Sequence, residues 1–559
     1  MSEVERIWLK SYPKGVPADI DLSEYRSLKD IIESSCRKFS GLTAYSNFGK
    51  TMSYAELDQA SAAFGAWLQH EAGFSKGDRV AIMMPNIMQY PIAVFGTLRA
   101  GCVAVNVNPM YTPRELEHQL TDSGAKGLVV VENFAHTAQQ VVGRTSVERI
   151  ITTQIGDRLG FPKRQITNFV IKRVKKMVPE WTLPGAVSFD DVLASGRNRS
   201  LDHVNLDHSD LAFLQYTGGT TGVAKGAMLS HGNMVANVLQ SAAWICNNTN
   251  EGEDRVITAL PLYHIFSLTA NCLTFMKMGG ENVLITNPRD FDGFVKELAA
   301  KPFTGFTGVN TLFNALVSHP EFGNVDFSEL KLTLGGGMAV QRSVAEKWMS
   351  ITKRTLVEAY GLTETSPAAC INPMDLKEFN GAIGLPISST EVSIRDDDGN
   401  RLPLGEIGEI CISGPQVMQG YWQREEATAE VMTADGALRT GDMGRMDEDG
   451  FVYLTDRKKD MILVSGFNVY PNELEDVLCQ HPDILEAAAV GVPDDKSGEA
   501  IKVFIVSTNP ALDRDAVRAH CRENMTAYKV PKHVAFMEEL PKSNVGKILR
   551  RELRDAESA

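Results

Sequence analysis

Apolar runs of strand length alternate with helical patterns through the first part of the chain, and no other feature restricts its fold as much. GDRVAIMMP (77–85) reads as a short buried strand, and Gln89 to Arg99 as an apolar helix. CVAVNVNP (102–109) is a second strand, RELEHQLTDSG (114–124) a helix with a glycine stop signal, and KGLVVVEN (126–133) a third strand. This β–α alternation predicts layered α/β architecture with substantial parallel sheet. Later, VSIRDDDGNRLPLGEIGEICISGP (392–415) separates short alternating strands with acidic-Gly and Pro-Gly turns. That change predicts a small antiparallel, barrel-like subdomain over about 385–455. The charged patch DRKKDM (456–461) then links a strand-like FVYLTD to a compact βαβ-like tail. The expected organisation is a body over 1–455, built from subdomains, and a small terminal α+β domain over 461–559.

Composition excludes several functions. With 43% hydrophobic and 23% charged residues over 559 positions, wholesale disorder is ruled out. Lys and Arg total 56 against 70 Asp and Glu, a net charge of -14, which argues against a general nucleic-acid binder. Eight dispersed cysteines form no CxxC and no Cys/His cluster of zinc spacing. Reduced thiols in a cytoplasmic protein are the expectation. The N-terminal MSEVERIWLKSYPKG has no signal-peptide core, and no apolar stretch reaches the ~18 residues of a membrane span.

One segment runs against the global charge. PKRQITNFVIKRVKKMVP (162–179) contains Lys163, Arg164, Lys172, Arg173, Lys175 and Lys176 and no acid. Ile166, Phe169, Val170, Val174 and Met177 fall near one helical face. Two readings stay open: peripheral contact with an anionic membrane surface, or an ordinary helix packing its apolar stripe on the core.

The strongest local signal is LQYTGGTTGVAKGAMLSH (214–231). Apolar LAFL leads into Thr217, Gly218, Gly219, Thr220, Thr221 and Gly222, followed by Lys225. Glycines let a backbone approach phosphate closely, while N–H groups, hydroxyls and an ammonium supply donors. The loop is neither a Walker A sequence nor GxGxxG.

YTGGTTGVAKG closely resembles the phosphate-loop signature of the adenylate-forming superfamily. PLYHIFSL (261–268), GGGM (335–338), YGLTETSP (360–367), RTGD (439–442), DRKKDMILVSGFNVYPNELE (456–475) and PKSNVGKILRRELRD (541–555) follow in the order expected of that superfamily. The resemblance covers essentially the whole chain. NVNPMYTPRELEHQL (106–120), ITNPRD (285–290) and the DRKKD-to-NELE stretch look specifically like bacterial long-chain fatty-acid CoA ligases.

The resemblance implies ATP, Mg²⁺ and CoA as cofactors, and a fatty acid as substrate. It implies two steps: an acyl-adenylate forms with release of pyrophosphate, and CoA then takes the acyl group. Thr217 to Lys225 would hold the β and γ phosphates, and Thr217 and Glu364 would help hold Mg²⁺. Gly335, Gly336 and Gly337 would permit close approach to adenine, with Tyr360, Gly361 and Thr363 completing the nucleotide site. Asp442 would accept the ribose hydroxyls, with Arg457 as companion cation. Lys547 would neutralise charge on the acyl carboxylate and α-phosphate, and His264 would position substrate. Residues 456–460 would form a hinge, with Lys459 at the pivot, making 461–559 mobile. Gly466 would line the CoA tunnel in a second pose.

The match departs at DGALRTGD, where many relatives have an aromatic residue in place of Ala437. FTGVNTLFNAL (306–316) looks like a family acyl-pocket wall. A medium-chain or aromatic acyl-CoA synthetase, or an inactive acyl- or nucleotide-binding regulator, stand as alternatives. Oligomeric state stays open, a homodimer included.

Overall fold

The computed structural model describes residues 6–217, 224–464, 467–494, 497–543 and 545–558. Two large sheets dominate the body. In the seven-stranded sheet, Val187–Ser188, Arg149–Thr153, Gly127–Val131, Arg79–Met83, Val103–Val107 and Leu211–Thr217 run parallel, and Lys225–Ser230 closes the edge antiparallel. The two strands Val103–Val107 and Gly127–Val131 are buried at every position, as a parallel sheet covered on both faces requires. The predicted helix is Gln89–Arg99, buried along its whole length. Helix Pro113–Ser123 starts at a Thr112/Glu115 capping box with Pro at its first turn. It stops at Gly124, whose φ of +59° is a left-handed cap.

The nine-stranded sheet has a parallel centre: Val357–Gly361, Leu332–Gly336, Gly305–Gly308, Arg255–Thr258, Glu281–Leu284 and Thr43–Asn47. Antiparallel strands flank it at both ends. Glu391–Arg395, Gly408–Ser413, Leu438–Met446 and Val452–Arg457 form a four-stranded antiparallel meander in the segment read as barrel-like.

The terminal sheet pairs Ile484–Asp494 with Gly498–Ser507 antiparallel. Gly498–Ser507, helix Arg514–Asn524 and His533–Phe536 then make a βαβ unit with parallel pairing. This part buries its own apolar residues, including Ile462, Leu474, Leu478, Val503, Ile505 and Val517. Its cluster contains no residue of the body.

Helix Lys163–Phe169 continues into a wider turn at Val170–Val174, and neither buries a residue. Of the two readings above, packing on the core does not describe this helix. Phe161, Ile166, Phe169, Val174 and Met177 are all more than half exposed, Phe161 at 87%. The segment is held by polar contacts instead: Arg164 to Asp157 (3.2 Å) and Asp190 (2.7 Å), Lys172 to Glu132 (3.0 Å), and Lys163 Nζ to the Phe48 carbonyl (3.2 Å).

Candidate active site

A cavity lies at the C-terminal ends of the central strands of the nine-stranded sheet. That is where a parallel sheet opens, because its strands end together while the chain leaves in both directions. Its polar end is lined by His264, Gly336, Gly337, Tyr360, Gly361, Thr363 and Lys547. Its apolar end is lined by Ile245, Phe275, Leu332, Leu334, Ile371 and Met374.

Lys547 reaches this cavity from the terminal domain. The turn before it is seated on the body where Thr311 Oγ1 donates to the Gly546 carbonyl (3.1 Å). A Cβ placed on Gly337, whose φ is +78°, would lie 3.7 Å from Lys547 Cε. That is an ordinary van der Waals contact, so the left-handed φ, rather than crowding of the lysine, is what favours glycine here. Burial and the Arg457 guanidinium push the Lys547 ammonium down to about 8, against the pull of Asp442 and Glu364.

Asp442 is buried and within electrostatic reach of this cation. Its Oδ2 accepts from the Tyr360 hydroxyl (2.6 Å), and Arg457 Nε lies 3.4 Å from Oδ1. Asp442 and Arg457 are cross-strand partners in the meander, so strand pairing sets their approach. Burial raises the Asp442 carboxyl, while Arg457, Tyr360 and Lys547 pull it back. A buried carboxylate needs such partners to persist charged.

His264 caps the short helix Ile265–Ser267, its Nδ1 accepting from Phe266 N (3.3 Å). That bond assigns the proton of the neutral ring to Nε2. Burial and nearby Lys547 push the imidazolium down to about 3, so the ring is neutral at physiological pH.

Thr217 and Lys225 are opposite one another on adjacent strands. Between them, Gly218, Gly219, Thr220, Thr221 and Gly222 lie outside the described residues, as does Gly466. Thr217 Oγ1 makes a long contact to the Lys225 carbonyl (3.5 Å), and Glu364 Oε1 accepts from Tyr421 (2.7 Å). A hydroxyl and a carboxylate are hard oxygen donors, the set that suits Mg²⁺.

Not every residue singled out in the sequence faces the cavity. A Cβ on Gly335 would strike Val340 at 2.7 Å, so this glycine serves strand–loop packing. One on Gly361 would strike the Pro367 carbonyl at 1.8 Å, which forces two backbones together. Of 306–316, Thr307 alone lines the cavity. Phe306 and Phe313 turn away onto Trp348, with ring centroids 5.5 and 4.9 Å from it. The apolar wall comes instead from the segment after His264 and from strand ends at 332–334 and 359–371. Ala437 is buried, and Thr433 brackets it through both backbone groups.

Sequence reasoning missed Arg550. It donates to both Glu475 oxygens (2.9 and 2.6 Å) and approaches Asp456 and Asp460 at 3.9 and 3.7 Å. Two acids of the segment read as a hinge are thus gathered by a cation three residues beyond Lys547. The basic run KILRRE held that signal, but nothing in it said which arginine turns inward.

Residues 32–422 match the AMP-binding enzyme family, and 473–547 match the AMP-binding enzyme C-terminal domain. A long-chain-fatty-acid--CoA ligase of Yersinia pestis is 56% identical over 99% of this chain and 98% of its own length. The crystal structure of the anthranilate CoA ligase AuaEII in complex with anthranoyl-AMP superposes with a TM-score of 0.85 at 25% identity, over 96% of this chain and 99% of its own. ATP-bound MatB from Rhodopseudomonas palustris gives 0.81 at 28% identity, over 94% and 98%. The chain belongs to the AMP-binding enzyme family.

Proposed function

We propose that the protein is an AMP-forming long-chain fatty acid–CoA ligase. The observation that carries this reading is one cavity with an apolar end and a polar end at which Lys547 meets His264 and Tyr360. The apolar end takes the acyl chain, and the polar end takes its carboxylate and the nucleotide. In the first step a carboxylate oxygen bonds to the α-phosphorus of ATP, and the bond to pyrophosphate breaks. In the second, the CoA sulfur bonds to the acyl carbon, and AMP leaves.

Charge builds on the carboxylate and α-phosphate during the first step, so the site needs preoriented cations. Lys547 supplies one in the lining of the cavity. Asp442, held by Tyr360 and Arg457, accepts the ribose hydroxyls; Gly336 and Gly337 keep the adenine approach open. Neutral His264 offers a hydrogen bond without adding a second buried charge beside Lys547. Lys225, Thr217 and residues 218–222 receive the β and γ phosphates. Thr217 and Glu364 would hold Mg²⁺, which when bound neutralises phosphate charge. Gly466 is assigned to the CoA tunnel once the terminal domain turns about 456–460.

A turnover series with saturated acids of increasing length, reading both AMP and acyl-CoA, tests the substrate. The expected optimum lies among long chains. An optimum at medium-chain or aromatic acids overturns the long-chain assignment, and no turnover with any acid favours a regulator.

The proposed location is the cytoplasm, with peripheral docking on an anionic membrane surface. Seven of the eight free thiols are buried, which suits a reducing compartment. No helix among the described residues is long and apolar enough to cross a membrane. The exposed apolar side chains of 161–177 lie among six cations, and Phe48, half exposed at a hairpin tip, adjoins them through Lys163. Neutralising Lys172, Arg173, Lys175 and Lys176 is expected to reduce salt-sensitive cosedimentation with anionic vesicles. Unchanged sedimentation refutes the docking.

A further inference from the structure

We infer that Tyr421 is a positioning residue that holds Glu364 and Lys225 in register, joining the metal side and the phosphate side of the site through one side chain. The observation is a strap, residues 418–422, which lies outside every motif read in the sequence. On one edge it adds to the strand that leaves the phosphate loop. Tyr421 bridges Ala227, Met228 N donates to the Gly420 carbonyl (2.9 Å), Gln419 N to the Met228 carbonyl (3.0 Å), and Trp422 N to the Gly226 carbonyl (2.8 Å). On the other edge Met418 N donates to the carbonyl of Glu364 itself (2.8 Å). The strap therefore fixes the backbones of both motifs relative to one another.

Tyr421 repeats that connection with its side chain. Its hydroxyl donates to Glu364 Oε1 at 2.7 Å, and the Lys225 ammonium lies 5.1 Å from its ring centroid. The phenol ring is buried, which holds the hydroxyl in place against the carboxylate. A neutral donor on one carboxylate oxygen fixes the plane of the carboxylate without consuming its charge. A ring face beside an ammonium restrains Lys225 while leaving its three N–H donors for phosphate. The strap's sharp entry fits this duty: Gly420 has φ +133°, and a Cβ there would meet Thr428 at 2.8 Å, while Thr428 Oγ1 accepts from Tyr421 N (2.9 Å).

The inference rests on the reading of Glu364 as a Mg²⁺ holder and Lys225 as a phosphate cation, so the experiment separates the two. Calorimetric titration of ATP into the full chain, once with Mg²⁺ and once with chelator, measures the affinity that Mg²⁺ adds. Glu364→Gln is expected to abolish most of that increment; if it does not, the underlying reading fails and the inference falls with it. Tyr421→Phe keeps the ring and removes the donor, and should cut the increment by roughly tenfold, the scale of a hydrogen bond to a charged group. ATP affinity in chelator should not change in that variant. Tyr421→Leu also removes the ring, and should weaken ATP in chelator by a further factor of about three, the scale of an exposed cation–π contact. Both variants should convert supplied acyl-adenylate and CoA to thioester at the wild-type rate, a readout that general misfolding would lower. If Glu364→Gln loses the increment while Tyr421→Phe keeps it, Tyr421 does not position Glu364. Equal loss in both half-reactions by Tyr421→Phe assigns the residue to folding alone.

Discussion

The body and the terminal domain are joined in opposite ways to what surrounds them. Inside the body, Phe306, Phe313 and Phe322 crowd Trp348 with centroids between 4.9 and 5.5 Å, in a cluster that runs from Trp8 to Val452. Between the body and the terminal domain, by contrast, the contacts nearest the site are single polar bonds. Thr311 meets Gly546, Asn314 Nδ2 donates to the Leu485 carbonyl (3.2 Å), and Gln341 Nε2 donates to Cys479 Sγ (3.0 Å). An apolar core loses its contacts steeply on separation and so locks its parts, whereas a few hydrogen bonds are replaced by water at little net cost. The difference is what a chain needs if it is to hold a rigid cavity and carry the proposed adenylation lysine, Lys547, on a separable part.

The largest effect that would sharpen this contrast lies in the body. Trp348→Ala should cost about 3–5 kcal/mol of stability, read as the denaturant midpoint, because the cavity left among three phenylalanines cannot collapse. A loss under about 1 kcal/mol would mean that the aromatic cluster is not what locks the body.

Next comes Lys547→Ala, which removes charge from the site without touching that core. Acid-dependent ATP–pyrophosphate exchange should fall by roughly 10²–10³-fold, the scale of losing one preorganised donor. Thioester formation from supplied acyl-adenylate should persist, and normal exchange would reject the assignment. The same lysine sets a smaller, pH-dependent effect. With its ammonium lowered to about 8, the charged form is complete well below pH 8 and is lost as pH rises through that value. The kcat/KM of adenylation, which reports the free enzyme, should therefore decline above about pH 8 while thioester formation does not follow it. A flat profile to pH 9.5 would remove Lys547 as the titrating group.

The smallest effect is expected at the seam. Thr311→Val keeps the shape and deletes the bond to Gly546; adenylation should drop only about two- to fivefold, the worth of one neutral hydrogen bond, with the denaturant midpoint unmoved. A stability loss approaching that of Trp348→Ala would erase the distinction between the two regions.

Much of the fold was legible because it is local. The buried helix at 89–99 and the glycine stop at 124 follow from periodicity and cap chemistry, which act within one element. The basic segment at 162–179 was legible as an amphipathic helix, but its exposure was not, since period alone does not say whether anything covers the apolar face. The stretch 306–316 failed for a related reason. Its apolar residues serve an aromatic core behind the sheet, and only Thr307 turns to the cavity.

By itself, then, the sequence determined the candidate groups: an ordered set of motifs supplies Lys225, Glu364, Asp442, Arg457 and Lys547, groups of the kind that phosphate and carboxylate chemistry demands. The tertiary structure alone decided how they are held. Tyr360 finds Asp442 across 82 residues, and Tyr421 finds Glu364 across 57. Which tyrosine meets which carboxylate is fixed by strand pairing and layer packing, and those contacts carry no spacing along the chain from which they could be read.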